Sequence, residues 1–346
     1  MRILLTGANA PGVNGTCWSL SQKDLFPTHL ELFGSDINNV MDNKYFTKTF
    51  YLPSGLDPTY LDKINELCIN ESIDLVVPQT TIETNFLSQL TDSSTQFKSV
   101  ILKPRELVCE LSNKSKAYTI VESLKMCLNN YKICSNINDL HEFTEMLGPY
   151  DYFIKTSNLS GGRGIVKVVS EMSEVVKLKP NSYHVVTRSE AIKVFENLNP
   201  ENGIVLQEAV LGDEYSIDCY RDKDIEVFIP RIRSMVRSGV SQITSTRNLP
   251  NLIEFARKFS NEMNISGVFG LQCILDKNNQ ISFLECNPRI QGTMVASTLT
   301  GENLIGRGAR LALGLESEKP KRIYWDTTYV RNWAGTGKVN GKTFSI

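Results

Sequence analysis

Glu285-Cys-Asn-Pro-Arg289 is the stretch on which the reading of this chain turns. It closes an apolar run, Ile281-Ser-Phe-Leu284, that reads as a strand. Thirteen residues upstream, Gln272 closes another such run, Val268-Phe-Gly-Leu-Gln272. The turn sequence Asp276-Lys-Asn-Asn279 lies between them, so the two runs predict a β-hairpin. That hairpin brings the side-chain oxygens of Gln272, Glu285 and Asn287 together. Hard oxygen donors, with no His or Cys among them, suit Mg²⁺ (or Mn²⁺) shared with phosphate oxygens. Arg289, two residues on, is placed to reach an anion held by that metal. Taken alone, the stretch also reads as a hairpin ending in a solvated turn.

Working outward, 346 residues exceed one ordinary domain and predict two or three. The chain is 41% hydrophobic and 22% charged, a soluble globular mixture. Its net charge of −1 gives no reason to expect a nucleic-acid partner. Residues 1–100 carry a net of −5 and residues 101–346 a net of +4, so the cations fall where the phosphate chemistry is expected. The eight cysteines are scattered without a Cys-x-x-Cys pair and the three His are far apart, which argues against zinc or a disulfide framework and for reduced, cytoplasmic thiols. No apolar run approaches the ~20 residues of a membrane span, and the first residues do not read as a signal peptide.

The first hundred residues alternate strands and helices: Arg2–Thr6, Leu30–Gly34 and Ile73–Val77 read as buried strands, Tyr60–Asn70 as a helix. This rhythm predicts a small parallel sheet, a Rossmann-like α/β domain over residues 1–102. Gly7, Gly12 and Gly15 do not make a dinucleotide fingerprint, and Asp36 reads as a turn cap more readily than as a ribose ligand. Residues 103–125 read as a helical connector, 126–203 as a small α+β unit, and 204–346 as a strand-rich region containing the hairpin and a closing helical run, Thr293–Leu313. Ser170–Ser182 is charge-rich and reads as a surface excursion.

Three further constellations bear on chemistry. Lys155 ends a strand and leads into Gly161-Gly162-Arg163-Gly164; glycines let backbone N–H groups close on phosphate, and Lys155 adds a point charge. This is no Walker loop, and a flexible hairpin tip is the alternative. Glu208-Ala209-Val210 precedes a bend whose backbone offers the one donor and one acceptor that an adenine edge needs, and Glu214 can accept from ribose hydroxyls. Edge-strand charges that discourage aggregation are the alternative there. Arg231 and Arg233 share one face of a strand, where an anion such as a substrate carboxylate or acyl phosphate would relieve their repulsion; solvated surface arginines would look the same.

The order Lys114, Lys155 with its glycine loop, Glu208 to Glu214, Gln272, Glu285-x-Asn287-x-Arg289 resembles the ATP-grasp superfamily. The resemblance covers nearly the whole chain and is nearest to the carbamoyl-phosphate synthase large-subunit type and its single-domain carboxylate–amine ligase relatives, the pyrrolysine-biosynthesis ligase group among them. It implies an ATP-grasp fold: a pre-ATP-grasp α/β domain, a small lid subdomain and a C-terminal antiparallel-sheet subdomain. It implies that Lys114, Lys155 and Gly161 to Gly164 contact ATP phosphates. Glu208, Ala209 and Val210 would hold adenine, Glu214 the ribose, and Gln272, Glu285 and Asn287 one or two Mg²⁺ (or Mn²⁺). Arg289, with Arg233 and Arg231, would steady an acyl phosphate. The implied reaction joins a small-molecule carboxylate to an amine with release of ADP and phosphate. Phosphorylation of bicarbonate or a small acid, and a non-catalytic ATP-binding module, are the competing readings. A homodimer is the family-level expectation. Asn113 stands where the group usually has an acid and Gln272 where it often has Glu, which lowers the negative charge of the metal site. The chain holds one such unit where the full synthase carries two.

Overall fold

The computed structural model describes the chain except residues 39–42, 92–93, 127–128, 160–163, 171–183, 199–202, 238, 333–335, 340–341 and 346. Gly161, Gly162 and Arg163, and the excursion expected over Ser170–Ser182 from Glu171 onward, lie outside the described residues.

Five strands form the first sheet: β1 (Arg2–Thr6), β2 (Glu31–Asp36), β3 (Phe46–Tyr51), β4 (Leu75–Pro78) and β5 (Lys98–Ser99). They pair in parallel in the order β3-β2-β1-β4-β5. Alternate residues of β1 and β4 enter two different cores. Leu4 and Val76 pack with Tyr60, Ile64 and Leu87 from the helices Tyr60–Asn70 and Thr81–Ser88. Ile3, Leu5, Leu75 and Val77 pack with Val13 and Cys17 and with Leu304 and Ile305 of a helix near the other end of the chain. Cover on both faces explains why these strands read as unbroken apolar runs.

The glycine turn after β1 is a docking surface. A Cβ on Gly12 would stand 2.6 Å from Gly292 Cα, and one on Gly15 would stand 2.8 Å from Val295 Cβ. Only glycine lets the backbones approach that closely. The seam continues as paired polar groups: the Ser19 and Thr298 hydroxyls lie 2.8 Å apart, Asn303 Nδ2 donates to Ser19 O at 2.7 Å, and Arg310 donates to Leu25 O at 2.9 Å.

The connector is two helices, Glu106–Ser112 and Lys114–Ser123, with Asn113 capping the second through its side chain. The middle sheet contains β6 (Tyr131–Cys134), β7 (Tyr152–Thr156), β8 (Ile165–Val169), β9 (His184–Thr187) and β10 (Ile204–Glu208), in the order β6-β10-β7-β8-β9. The expected boundary at residue 204 is therefore corrected. β10 belongs to the small unit, antiparallel between β6 and β7, and its Ile204 to Leu206 are fully buried because they hold the centre of that sheet. Capping boxes at Asn136 and Thr187 begin the helices Ile137–Leu147 and Arg188–Glu196.

The last sheet is antiparallel: β11 (Asp213–Asp222), β12 (Ile225–Arg237), β13 (Val240–Thr246), β14 (Gly267–Leu275), β15 (Ile281–Asn287) and β16 (Thr328–Val330), in the order β15-β14-β11-β12-β13-β16. Two further strands, β17 (Thr336–Val339) and β18 (Lys342–Ser345), pair antiparallel as a ribbon. One face of the six-stranded sheet is apolar: Ile217, Cys219, Leu271 and Cys273 pack with Leu252, Phe255 and Phe259 of the helix Pro250–Glu262. The other face carries Glu214, Ser216, Asp218, Gln272 and Glu285, as the period of two demands. The expected helical run Thr293–Leu313 is broken into Val295–Leu299 and Leu304–Leu313. Gly301, at φ +95°, ends the first piece, and buried Glu302 pairs with Arg307 at 2.5 Å.

Candidate active site

Register across the last sheet aligns Glu285 on β15 with Gln272 on β14, Gln272 with Ser216 on β11, and Ser216 with Arg231 on β12. Residues directly opposite one another share a face, so these four side chains form one row. The row opens on a cleft of about 460 Å³. Arg233, Asn287, Arg289, Gln291 and Gly292 line the same cleft, and the first domain supplies its other wall through Ala10-Pro11-Gly12 and Gln79-Thr80-Thr81.

At the β15 end, Asn287 Nδ2 donates to Glu285 Oε1 at 3.0 Å, and Lys114 Nζ stands 3.9 Å from Glu285 Oε2. Burial pushes the Glu285 carboxyl upward, but Lys114, the Asn287 amide, Arg233 and Lys155 outweigh it and hold it below the usual carboxylate range. Arg289 donates to Thr81 Oγ1 at 3.1 Å, Ile290 O at 3.0 Å and Asn287 Oδ1 at 3.3 Å. Burial lowers its pKa and Glu285 opposes that shift. Among the described residues no carboxylate lies within ion-pair distance of Arg289, so one fixed positive charge is left facing the cleft.

The donors fit a hard cation in part. Gln272, Glu285 and Asn287 offer oxygens and the Glu285 side chain keeps 24% of its surface exposed. The set holds one carboxylate only, and among the described residues no group of three His, Cys, Asp or Glu forms a metal site. Such a site suits Mg²⁺ that takes most of its oxygens from phosphate and water.

Lys114 and Lys155 are both buried, at 5% exposure each. Lys114 Nζ donates to Leu159 O; Lys155 Nζ donates to Gln207 Oε1 and, at 3.4 Å, to Tyr118 OH. Gln207 in turn donates to Phe283 O at 2.9 Å, tying the middle sheet to β15. Both lysines therefore stand close to Glu285, whose charge each of them stabilises. Gly164, the described remnant of the glycine loop, sits at φ +69°, and a Cβ there would collide with Thr156 Oγ1.

At the junction of the two sheets Glu208 N donates to Asn130 O at 2.9 Å, and its carboxylate accepts from Asn130 Nδ2 at 2.8 Å. Ala209 N donates to Asp151 O at 2.9 Å. Val210 N–H takes no backbone acceptor among the described residues.

The two strand arginines require a correction. Their mutual repulsion is relieved from within. Arg231 Nε donates to Asp218 Oδ2 at 3.0 Å, deep in the sheet, and Arg233 Nε lies 3.3 Å from Glu214 Oε1. Glu214, expected at the ribose, thus faces Arg233. Sequence reasoning gave no individual role to Thr81, Ser216, Gln291 or Arg331. Arg331 donates to Pro11 O, and to Gly292 O at 2.7 Å. Ser216 was legible from the period of two. The others had no local signal, because three are brought in by chain more than 35 residues from the hairpin or by a turn beyond it.

A family model described as ATP-grasp in the biosynthetic pathway with Ter operon matches residues 201–333. No curated protein matches the chain in sequence. Among solved structures, N5-carboxyaminoimidazole ribonucleotide synthetase in its ADP complex aligns at TM-score 0.68 and 14% identity, over 93% of this chain and 79% of that one. The biotin carboxylase domain of Hydrogenobacter thermophilus 2-oxoglutarate carboxylase, solved with MgADP, ADP and bicarbonate, aligns at 0.69 and 15%, over 94% and 73%. Biotin carboxylase from Campylobacter jejuni, in a β-γ-ATP complex, aligns at 0.69 and 16%, over 94% and 73%. At such identities the likeness is one of fold.

Proposed function

We propose that this chain is an enzyme of the ATP-grasp kind, an ATP- and Mg²⁺-dependent ligase joining a carboxylate to an amine through an acyl phosphate; the family-model match over residues 201–333 and the likeness of fold support this reading. The observation that carries this reading is the convergence of Lys114, Glu285, Asn287 and unneutralised Arg289 at one end of a cleft walled by a second domain.

ATP would lie between the middle sheet and β15, its adenine edge against Glu208 O and Val210 N–H and its phosphates near Lys114 and Lys155. Mg²⁺ held by oxygens of Gln272, Glu285 and Asn287 would supply charge neutralisation for the phosphates. A carboxylate oxygen attacks the γ-phosphorus and the bond to ADP breaks. Arg289 supplies fixed positive charge beside the phosphoryl group being transferred, as a preorganised donor in a site that need not reorganise. The amine nitrogen then attacks the acyl carbon, the phosphate leaves with the bonding pair, and the nitrogen loses a proton. The products are amide, ADP and phosphate. No side-chain nucleophile is required. The first-domain wall and the small sheet keep water from the anhydride.

The test is a phosphate-release screen of carboxylates crossed with amines, with products read by mass spectrometry. Turnover that needs MgATP, an acid and an amine together is expected. ADP release with bicarbonate alone would move the assignment to a bicarbonate-phosphorylating enzyme, and tight ATP binding without turnover across the panel would sink the ligase reading.

A further inference from the structure

We infer that the cleft is built for an acid carrying a second oxyanion group, distinct from the carboxylate that is activated; the inference rests on the ligase reading and names its substrate class. Among the described residues, Ser216 Oγ, Arg231 Nη1 and Gln291 Nε2 in one wall of the cleft have no hydrogen-bond partner, and unlike Arg233 Nε, which faces Glu214 at 3.3 Å, none of the three atoms lies in an ion pair. Their residues are 1%, 2% and 6% exposed. A buried donor left unsatisfied destabilises the fold, a charged one most of all, so three together mark a place where something else accepts.

The three are held as one group. Ser216 and Arg231 are direct cross-strand partners, and Arg231 Nη2 donates to Gln291 Oε1 at 2.8 Å. The Gln291 amide stands over Gly270, where a Cβ would lie 2.1 Å from Nε2, so the strand beneath has been left bare to seat it. Arg231 is anchored from behind by Asp218, which also accepts from Ser297 Oγ at 2.6 Å. The guanidinium therefore cannot swing away to find water. Arg331, bonded to backbone carbonyls only apart from a 3.5 Å contact with Thr293 Oγ1, adds a second cation to this end. Among the described lining residues the one carboxylate is Glu285, at the far end of the row, and Asp218 beneath Arg231 already accepts from Arg231 and Ser297, so the donors and positive charge at this end select an oxyanion, not an amine or a neutral group.

The place is separate from the reacting end. At about 4.8 Å per strand, Ser216 lies roughly 10 Å and Arg231 roughly 14 Å along the row from Glu285. A monocarboxylate held beside Arg289 leaves this group empty. An acid with a second carboxylate, or a phosphate, a few carbons away reaches both ends. Arg289 then faces the group that reacts, and Ser216, Arg231 and Gln291 hold the one that does not.

The experiment measures ligand-induced thermal shifts of the full chain without nucleotide, at constant ionic strength, with succinate, glutarate, 3-phosphoglycerate and butyrate. Doubly charged acids are expected to bind at least tenfold tighter than butyrate, and comparison of the dicarboxylates with the phosphoester identifies the second group. Gln291→Glu keeps the oxygen that accepts from Arg231 and replaces the unpaired amide with a carboxylate oxygen; it should weaken the doubly charged acids tenfold or more and butyrate less than twofold. Ser216→Ala, a milder change, should weaken them about threefold. Equal binding of butyrate and the diacids, no shift with any of them, or diacid binding unchanged in both variants overturns the inference. Diacid binding in this nucleotide-free assay together with no phosphate release in the MgATP screen defeats the ligase reading alone, and turnover on monocarboxylates in that screen with no diacid preference in binding defeats this inference alone.

Discussion

Two carboxyls close to the same cleft are driven in opposite directions by what surrounds them. Glu285 is crossed by Lys114, Arg233 and Lys155 and stays ionised through neutral and mildly acidic pH. Glu83 sits under the rim formed by Thr80 and Thr81, where burial lifts its pKa to about 7 against the hydrogen bond from Thr80 Oγ1 at 2.6 Å, and the charge of Asp36 adds to the lift. Glu285→Gln keeps the size and removes the charge, and should lower kcat/KM at least a hundredfold, about 2.7 kcal/mol, while the melting temperature moves by only a few degrees. Full turnover in that variant would remove Glu285 from the metal and phosphate chemistry. For Glu83 the sign runs the other way. Its folded pKa exceeds the unfolded value of 4.5, so the folded state binds the extra proton. Stability falls as pH rises from about 4.5 to about 7, by roughly 3 kcal/mol in all. Glu83→Gln should therefore raise the melting temperature clearly at pH 8 and little at pH 4.5; equal gains at both would show that Glu83 is not the group concerned.

Elements differ in how openly the chain declares them. The hairpin β14–β15 was readable residue by residue: Asp276 accepts from Asn278 N and Gln280 N at 2.8 Å each, Asn279 takes φ +61°, and Gln272 lands opposite Glu285. What one sequence does not declare is which sheet a strand joins. β10 looked like the start of the last region because it follows an irregular stretch, yet its partners β6 and β7 lie more than 45 residues upstream. The ion pairs Arg231–Asp218 and Arg233–Glu214 were hidden for the same reason, since partner and distance follow from register. The turn Gly7–Gly12 was legible as glycine-rich and illegible in purpose, because its partner Gly292 is 280 residues away. Gly12→Ala forces a methyl into Gly292 and should cost about 1–3 kcal/mol of stability, readable as a lower urea midpoint. A variant as stable as the parent would show that the seam can part without strain. Asn136→Ala, which removes a capping box from the small sheet's first helix, should cost about 1 kcal/mol and speed amide exchange in Ile137–Leu147 while leaving β14 and β15 unchanged.

At the scale of the whole molecule, one guanidinium holds three stretches of chain. Arg331 donates to Pro11 O, Gly292 O and Ser241 O, closing the first domain onto the last sheet at the mouth of the cleft. Burial lowers its pKa, and the nearby charge of Arg231 lowers it further. Arg331→Met leaves those carbonyls unpaired; the expected loss is about 2–3 kcal/mol in urea unfolding, with a higher KM for the acid and a nearly unchanged KM for ATP. A KM change confined to ATP would place its influence elsewhere.

The polar seam between Ser19, Leu25, Thr298, Asn303 and Arg310 has a mechanical consequence. Apolar faces slide over one another at little penalty, but donors matched singly to acceptors lose every partner at once when displaced by one residue. The two walls facing each other across the cavity thus keep a constant spacing, like the jaws of a locked caliper.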